Sequence, residues 1–93
     1  MAKVELSEDV NDAVGKNEKL RGLIKALDFG SPIEKATATE IKGVGVSFEP
    51  RFKVRYDISF ENKTRGIYEK TLVLDKNYDL VCIVDNHWIE PPE

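Results

Sequence analysis

Apolar residues recur along this chain with two different periods, and the change falls near Pro32. Before it, Val10, Ala13, Val14, Leu20, Leu23, Ile24 and Leu27 fall within about half the circumference of a helix stepped at about 100° per residue. That stripe predicts an amphipathic N-terminal helical segment. Ser7 is placed to cap its start, and Glu8, Asp9 and Asp12 put carboxylates near the positive end of the helix dipole. Gly30, followed by Ser31 and Pro32, supplies a glycine stop and a proline barrier. Gly15 and Gly22 each cost about 1 kcal/mol relative to alanine inside a helix, and Asn17 lands within the apolar stripe. The segment therefore reads either as one bent helix or as two helices broken at Gly15, Lys16 and Asn17, with Asn17 capping the second.

After Pro32 the period becomes 2. Phe52, Val54, Tyr56, Ile58 and Phe60 alternate without error with Lys53, Arg55, Asp57 and Ser59, as in a strand with one buried and one wet face. Residues 61–66 read as a turn, and 67–74 as the return strand with Tyr68, Leu72 and Leu74 on one face. Asp75, Lys76 and Asn77 turn the chain again. Leu80, Val81, Cys82, Ile83 and Val84 are apolar on both parities, which predicts an inner strand. Upstream, 36–48 reads as the first strand, bent or bulged near Gly43 and Gly45, where the apolar parity moves from Ile41 to Val44 and Val46.

The expected fold is therefore a single α+β domain, with the helical segment on one face of a four-stranded antiparallel meander. A helix of about 20 residues spans roughly 30 Å, matching a strand of about nine residues, so one helix layer covers one sheet face. This arrangement resembles the cystatin-like architecture in shape only. The chain contains no glutamine for a Gln-x-Val-x-Gly hairpin, Trp88 follows His87 and not a proline, and Lys42-Gly43-Val44-Gly45-Val46 does not match the inhibitory loop. No residue and no activity carries across from that family.

Composition narrows the class. A chain of 93 residues with 41% hydrophobic and 33% charged residues has enough apolar surface to fold as one domain. The longest apolar run is far below the roughly 20 residues that cross a bilayer, and the N-terminus lacks a signal-peptide core, so the expectation is a cytoplasmic protein without a membrane partner. For the same reason Asn62-Lys63-Thr64, although a sequon, reads as a turn. One cysteine, Cys82, excludes an internal disulfide, leaving a hydrophobic core that an oligomer interface would supplement. The net charge of -3 and pI near 5.2 disfavour indiscriminate phosphate binding. The charge is uneven: residues 32–71 carry 8 basic and 6 acidic groups, whereas 72–93 carry 1 and 5.

Candidate chemistry is sparse. Asp85, His87 and Glu90 surround the only tryptophan, Trp88, but one histidine and one cysteine fall short of a zinc ligand set, so no metal, cofactor or catalytic residue is assigned. Cys82, between aliphatic neighbours, reads as buried and structural; Trp88 reads as packing the end of the sheet beside a solvated His87. The one candidate binding row is Lys53, Arg55, Asp57 and Ser59, joined by Lys63 and Arg65 from the following turn. Lys70 shares the parity of Leu72 and is left out. Such a row suits a protein partner or a homodimer, with Arg55 pairing Asp57 of a second copy across a two-fold axis. A nucleic-acid-contacting module is the alternative, but Phe52, Tyr56 and Phe60 lie on the opposite parity, away from any stacking surface. A small enzyme or ligand carrier, with a pocket between helix and sheet, is the third class. The function expected is a small non-enzymatic binding protein, using the open sheet face or its edge.

Overall fold

In the computed structural model, which describes residues 4–27, 33–44 and 50–92, the helical segment is broken. Helix α1 (Glu8–Val14) is capped by Ser7, whose hydroxyl accepts from the Val10 amide at 3.3 Å. It stops at Gly15, which has φ +59, a conformation that favours glycine. Asn17 then caps α2 (Glu18–Lys25), its side-chain oxygen accepting from the Leu20 amide at 3.0 Å. Arg21 clasps the junction by donating to Gly15 O at 2.6 Å and to Asn11 Oδ1 at 2.7 Å. The two-helix reading holds, and Asn17 sits in the apolar stripe because it caps. Helix α2 ends at Lys25, short of the expected stop; Gly30, Ser31 and Pro32 lie outside the described residues.

The sheet departs from a four-stranded meander. Its described strands are β1 (Val4–Leu6), β2 (Ile33–Val44), β3 (Arg51–Phe60), β4 (Arg65–Leu74) and β5 (Leu80–Glu90), in spatial order β1-β2-β3-β4-β5. Strand β1, three residues long, went unread because so short a stretch has no measurable period. It pairs with β2 in parallel, Val4 beside Ala36 and Leu6 beside Ala38, because the helix pair carries the chain back before β2 begins. The remaining pairs are antiparallel. Register shifts in β2 fall near Glu34 and Thr39; Gly45, where a bend was also expected, lies outside the described residues.

Val10, Val14, Leu20 and Ile24 from the helices, with Leu27 just past α2, meet Ala36, Ala38, Val54, Tyr56, Ile58, Leu72 and Leu74 from the sheet in one buried cluster. The small Ala36 and Ala38 leave room for the helices above β2. The carbonyls freed at the end of α2 find donors in the sheet. The Tyr56 hydroxyl donates to Ile24 O at 2.6 Å, and Lys70 Nζ donates to Ala26 O at 2.8 Å and Leu23 O at 3.3 Å. Lys70 is 4% exposed and lies 5.3 Å from the centre of the Tyr56 ring. Burial pushes the Tyr56 phenol up and draws the Lys70 ammonium down to about 8. Lys70, left out of the sequence reading, is a helix cap reaching in from β4.

Strand β5 contradicts the expected inner strand: it is the edge. Among the described residues its apolar side chains have no strand beyond them, and Leu80, Val81 and Ile83 are 40%, 62% and 41% exposed. Cys82 is exposed, not buried. Trp88, half-buried, closes the other end of the strand by packing on Tyr68 and Phe60, with ring centres 5.0 and 6.1 Å away. Gly66 lies beneath it, where a Cβ would stand 2.9 Å from the indole and 2.7 Å from Glu90 O.

Candidate functional site

The sheet face away from the helices is built in rows, because antiparallel partners directly opposite one another point to the same side. One row runs Glu40, Arg55, Glu69, His87 across β2 to β5; the next holds Lys42, Lys53, Thr71 and Val84. Alternating signs along the first row draw the charges together. The Glu69 carboxylate, its side chain only 9% exposed, receives Arg55 Nη2 at 3.3 Å, Lys53 Nζ at 3.7 Å and His87 Nε2 at 3.8 Å. Glu40 takes Lys42 at 2.9 Å and Arg55 Nη1 at 3.7 Å. The Lys42 ammonium, and Arg55 beside it, hold the Glu40 carboxyl below the usual carboxylate range.

A second region lies beside this ion-pair cluster. Lys35, Thr37, Thr39, Asp57, Ser59 and Arg65 line a shallow hollow of about 200 Å³. Two of its hydroxyls are engaged by the backbone, Ser59 donating to Lys35 O at 3.4 Å and Thr39 to Arg55 O at 3.3 Å. Lys35 reaches toward Glu5 of β1 at 3.9 Å.

The six residues singled out in the sequence thus divide. Asp57, Ser59 and Arg65 meet at the hollow, and Lys53 and Arg55 belong to the ion-pair cluster. Lys63, at the β3–β4 turn, has φ +73, faces Glu34 at 3.6 Å and shares with Arg65, Ile89 and Glu90 the lining of a second, open hollow of about 520 Å³. That turn is shaped by Asn62, whose side-chain oxygen accepts from the Thr64 amide and hydroxyl at 3.1 and 2.6 Å. Sequence reasoning missed Glu40 and Glu69. For Glu69 a signal existed: closing the hairpin at the turn places it opposite Arg55, and its parity is that of the wet face. Arg55 therefore has its acidic partners within its own chain, where the sequence reading assigned Asp57 of a second copy.

Family models, curated proteins and solved structures all give no match to this chain. The cystatin-like shape accordingly has no support from a solved structure. Among the described residues no group of three His, Cys, Asp or Glu side chains is placed to hold a metal ion, and no helix is long and apolar enough to cross a membrane. The surface thus carries an ion cluster, in which Lys42, Lys53 and Arg55 share the carboxylates of Glu40 and Glu69, beside an apolar edge strand.

Proposed function

We propose that this chain is a small non-enzymatic binding module that recognises a protein, another chain or a second copy of itself, through the β5 edge and the adjoining sheet face away from the helices. The observation that carries this reading is the exposure of Leu80, Val81, Cys82 and Ile83 side by side on an edge strand. An edge strand offers unpaired backbone N–H and C=O groups, and apolar side chains beside them add desolvation energy when a partner strand docks. The neighbouring charges oppose such docking little, since Glu69 and Glu40 offset all but one of the three charges of Lys42, Lys53 and Arg55. The same matching weakens the nucleic-acid reading, because a phosphate would have to displace those carboxylates. Tyr56 and Phe60, buried on the helix side, are also withheld from base stacking.

A photo-crosslinking residue placed at Val81, with the exposed Lys25 of α2 as control, tests the proposal in cell extract. Protein adducts are expected from position 81 and not from position 25. No adduct from position 81 refutes the reading. A nuclease-sensitive adduct on the open face, together with salt-sensitive binding weakened by Lys53→Ala and Arg55→Ala, replaces it with the nucleic-acid alternative.

A further inference from the structure

Strand β5 has the composition of a strand with neighbours on both sides, yet among the described residues it has a neighbour on one side only. The buried contacts of the helix layer end at Leu72 and Leu74 of β4. Ile83 and Leu80, directly opposite them on the same face, are left open. On the other face Cys82 and Val84 continue the row begun by the buried Val73 and Thr71. No charged residue interrupts 80–84, and Asp79, just before it, is held by Lys19 at 2.9 Å.

The shape of the edge restricts what pairs with it. Against β4, residues 82–84 run in regular register, opposite Val73, Leu72 and Thr71. On one side Val81 is an extra residue, because Leu74 pairs with Leu80 while Val73 pairs with Cys82. On the other, Asp85 and Asn86 stand against Lys70 alone. Bulges bend a strand, so a straight partner would follow β5 only over the short regular stretch. Those bends begin two residues before Ile83 and two residues after it. A second β5, turned about a two-fold axis through Ile83, sets the Val81 bulge of one copy against the Asp85 and Asn86 bulge of the other and bends with it. Over the regular stretch apolar residues then meet like with like, Ile83 on Ile83 and Cys82 on Val84, while Val81 and Leu80 run beside Asp85 and Asn86 of the other copy.

Resting on the binding reading above, we infer that the occupant of this edge is a second copy of the chain, joined antiparallel β5 to β5 with Ile83 on the axis. The product is one continuous sheet with both helix layers on the same side, their open flanks covered at Leu80 and Ile83. In this register the two Ile83 Cα atoms stand about 5 Å apart, within the span of a disulfide, whereas the two Cys82 residues are out of step by roughly 8 Å and cannot bridge.

Sedimentation equilibrium of the purified full chain is expected to give about twice the 10.5 kDa chain mass. Ile83→Lys sets two ammonium groups face to face on the axis and is expected to return the mass to that of one chain, with the helical circular dichroism retained. Val81→Lys, at the most exposed of the apolar positions, provides a second variant should Ile83→Lys disturb folding. Mild oxidation is expected to link Ile83→Cys in a Cys82→Ser background into a covalent dimer and to leave the wild-type Cys82 unlinked. A monomer at every concentration with no oxidative link overturns the inference, as does a dimer that both lysine variants leave intact. If such a monomer still gives adducts with a different protein from position 81, pairing with a second copy fails and the binding reading stands. If neither a dimer nor an adduct forms, both fail.

Discussion

Replacing Lys70 with methionine keeps the apolar stem and removes the ammonium that closes the end of α2. The wild-type ammonium donates to Ala26 O at 2.8 Å and Leu23 O at 3.3 Å. Lys70→Met takes this donor from Ala26 O, while Leu23 O keeps the Ala26 amide at 3.3 Å, and it also relieves the cost of burying an ammonium, so the two effects oppose each other at pH 7. The pH dependence is the sharper test. Burial lowers the folded-state value to about 8 from 10.5, so between those values the folded chain binds fewer protons than the unfolded chain. Stability is then gained as pH rises through this window and lost as it falls back through about 8. A full shift of this size corresponds to about 3 kcal/mol. Two carbonyls and the Tyr56 ring favour the charged form and water screens part of the site, so about 1–2 kcal/mol is expected. Tyr56 and Tyr68, both raised, act oppositely: their stabilisation is present below the ordinary tyrosine value near 10 and lost above it. Urea titrations at pH 7 and pH 9.5, followed by Trp88 fluorescence and circular dichroism, therefore isolate Lys70. The wild-type unfolding free energy should rise between the two, and that of Lys70→Met should rise less by about 1–2 kcal/mol. An equal rise in both proteins, or none in the wild type, would refute the reasoning.

Three further substitutions test the fold that carries the edge. Asn17→Ala removes the cap of α2 and should cost about 1 kcal/mol, with the Leu20 amide exchanging faster by NMR. Ile58→Ala, at a fully buried position, should cost about 2–5 kcal/mol in thermal or urea melts; a neutral result would mean that the wrong face of β3 is inward. Gly66→Ala drives a methyl to 2.7 Å from the Glu90 carbonyl and 2.9 Å from the indole. It should either unfold the chain or push the end of β5 off β4, read as a red shift of Trp88 emission, while unchanged emission and stability would count against that packing.

The helix stripe and the alternation of β3 were legible in the sequence because each is a local repeat with one buried face. From them came the α+β class, the core residues Ile24, Leu27, Val54, Tyr56 and Ile58, with Leu23 of the same stripe only partly buried, and the outward row of Lys53, Arg55, Asp57 and Ser59. Local pattern also offered the break at Asn17, but a cap and a flawed helix look alike until the Leu20 amide is seen to turn toward its side chain. Tertiary structure decided the rest, where the deciding partner is distant in the chain. Strand β1 exists because β2, some thirty residues on, supplies its hydrogen bonds. Lys70 is a core residue because α2 ends above it, and Glu69 is buried because Lys53, Arg55 and His87 converge on it from both neighbouring strands. The apolar run of β5 records that both of its faces favour burial, but strand order alone sets it at the edge, since a side-chain pattern reports the environment a segment favours and not which neighbour provides it.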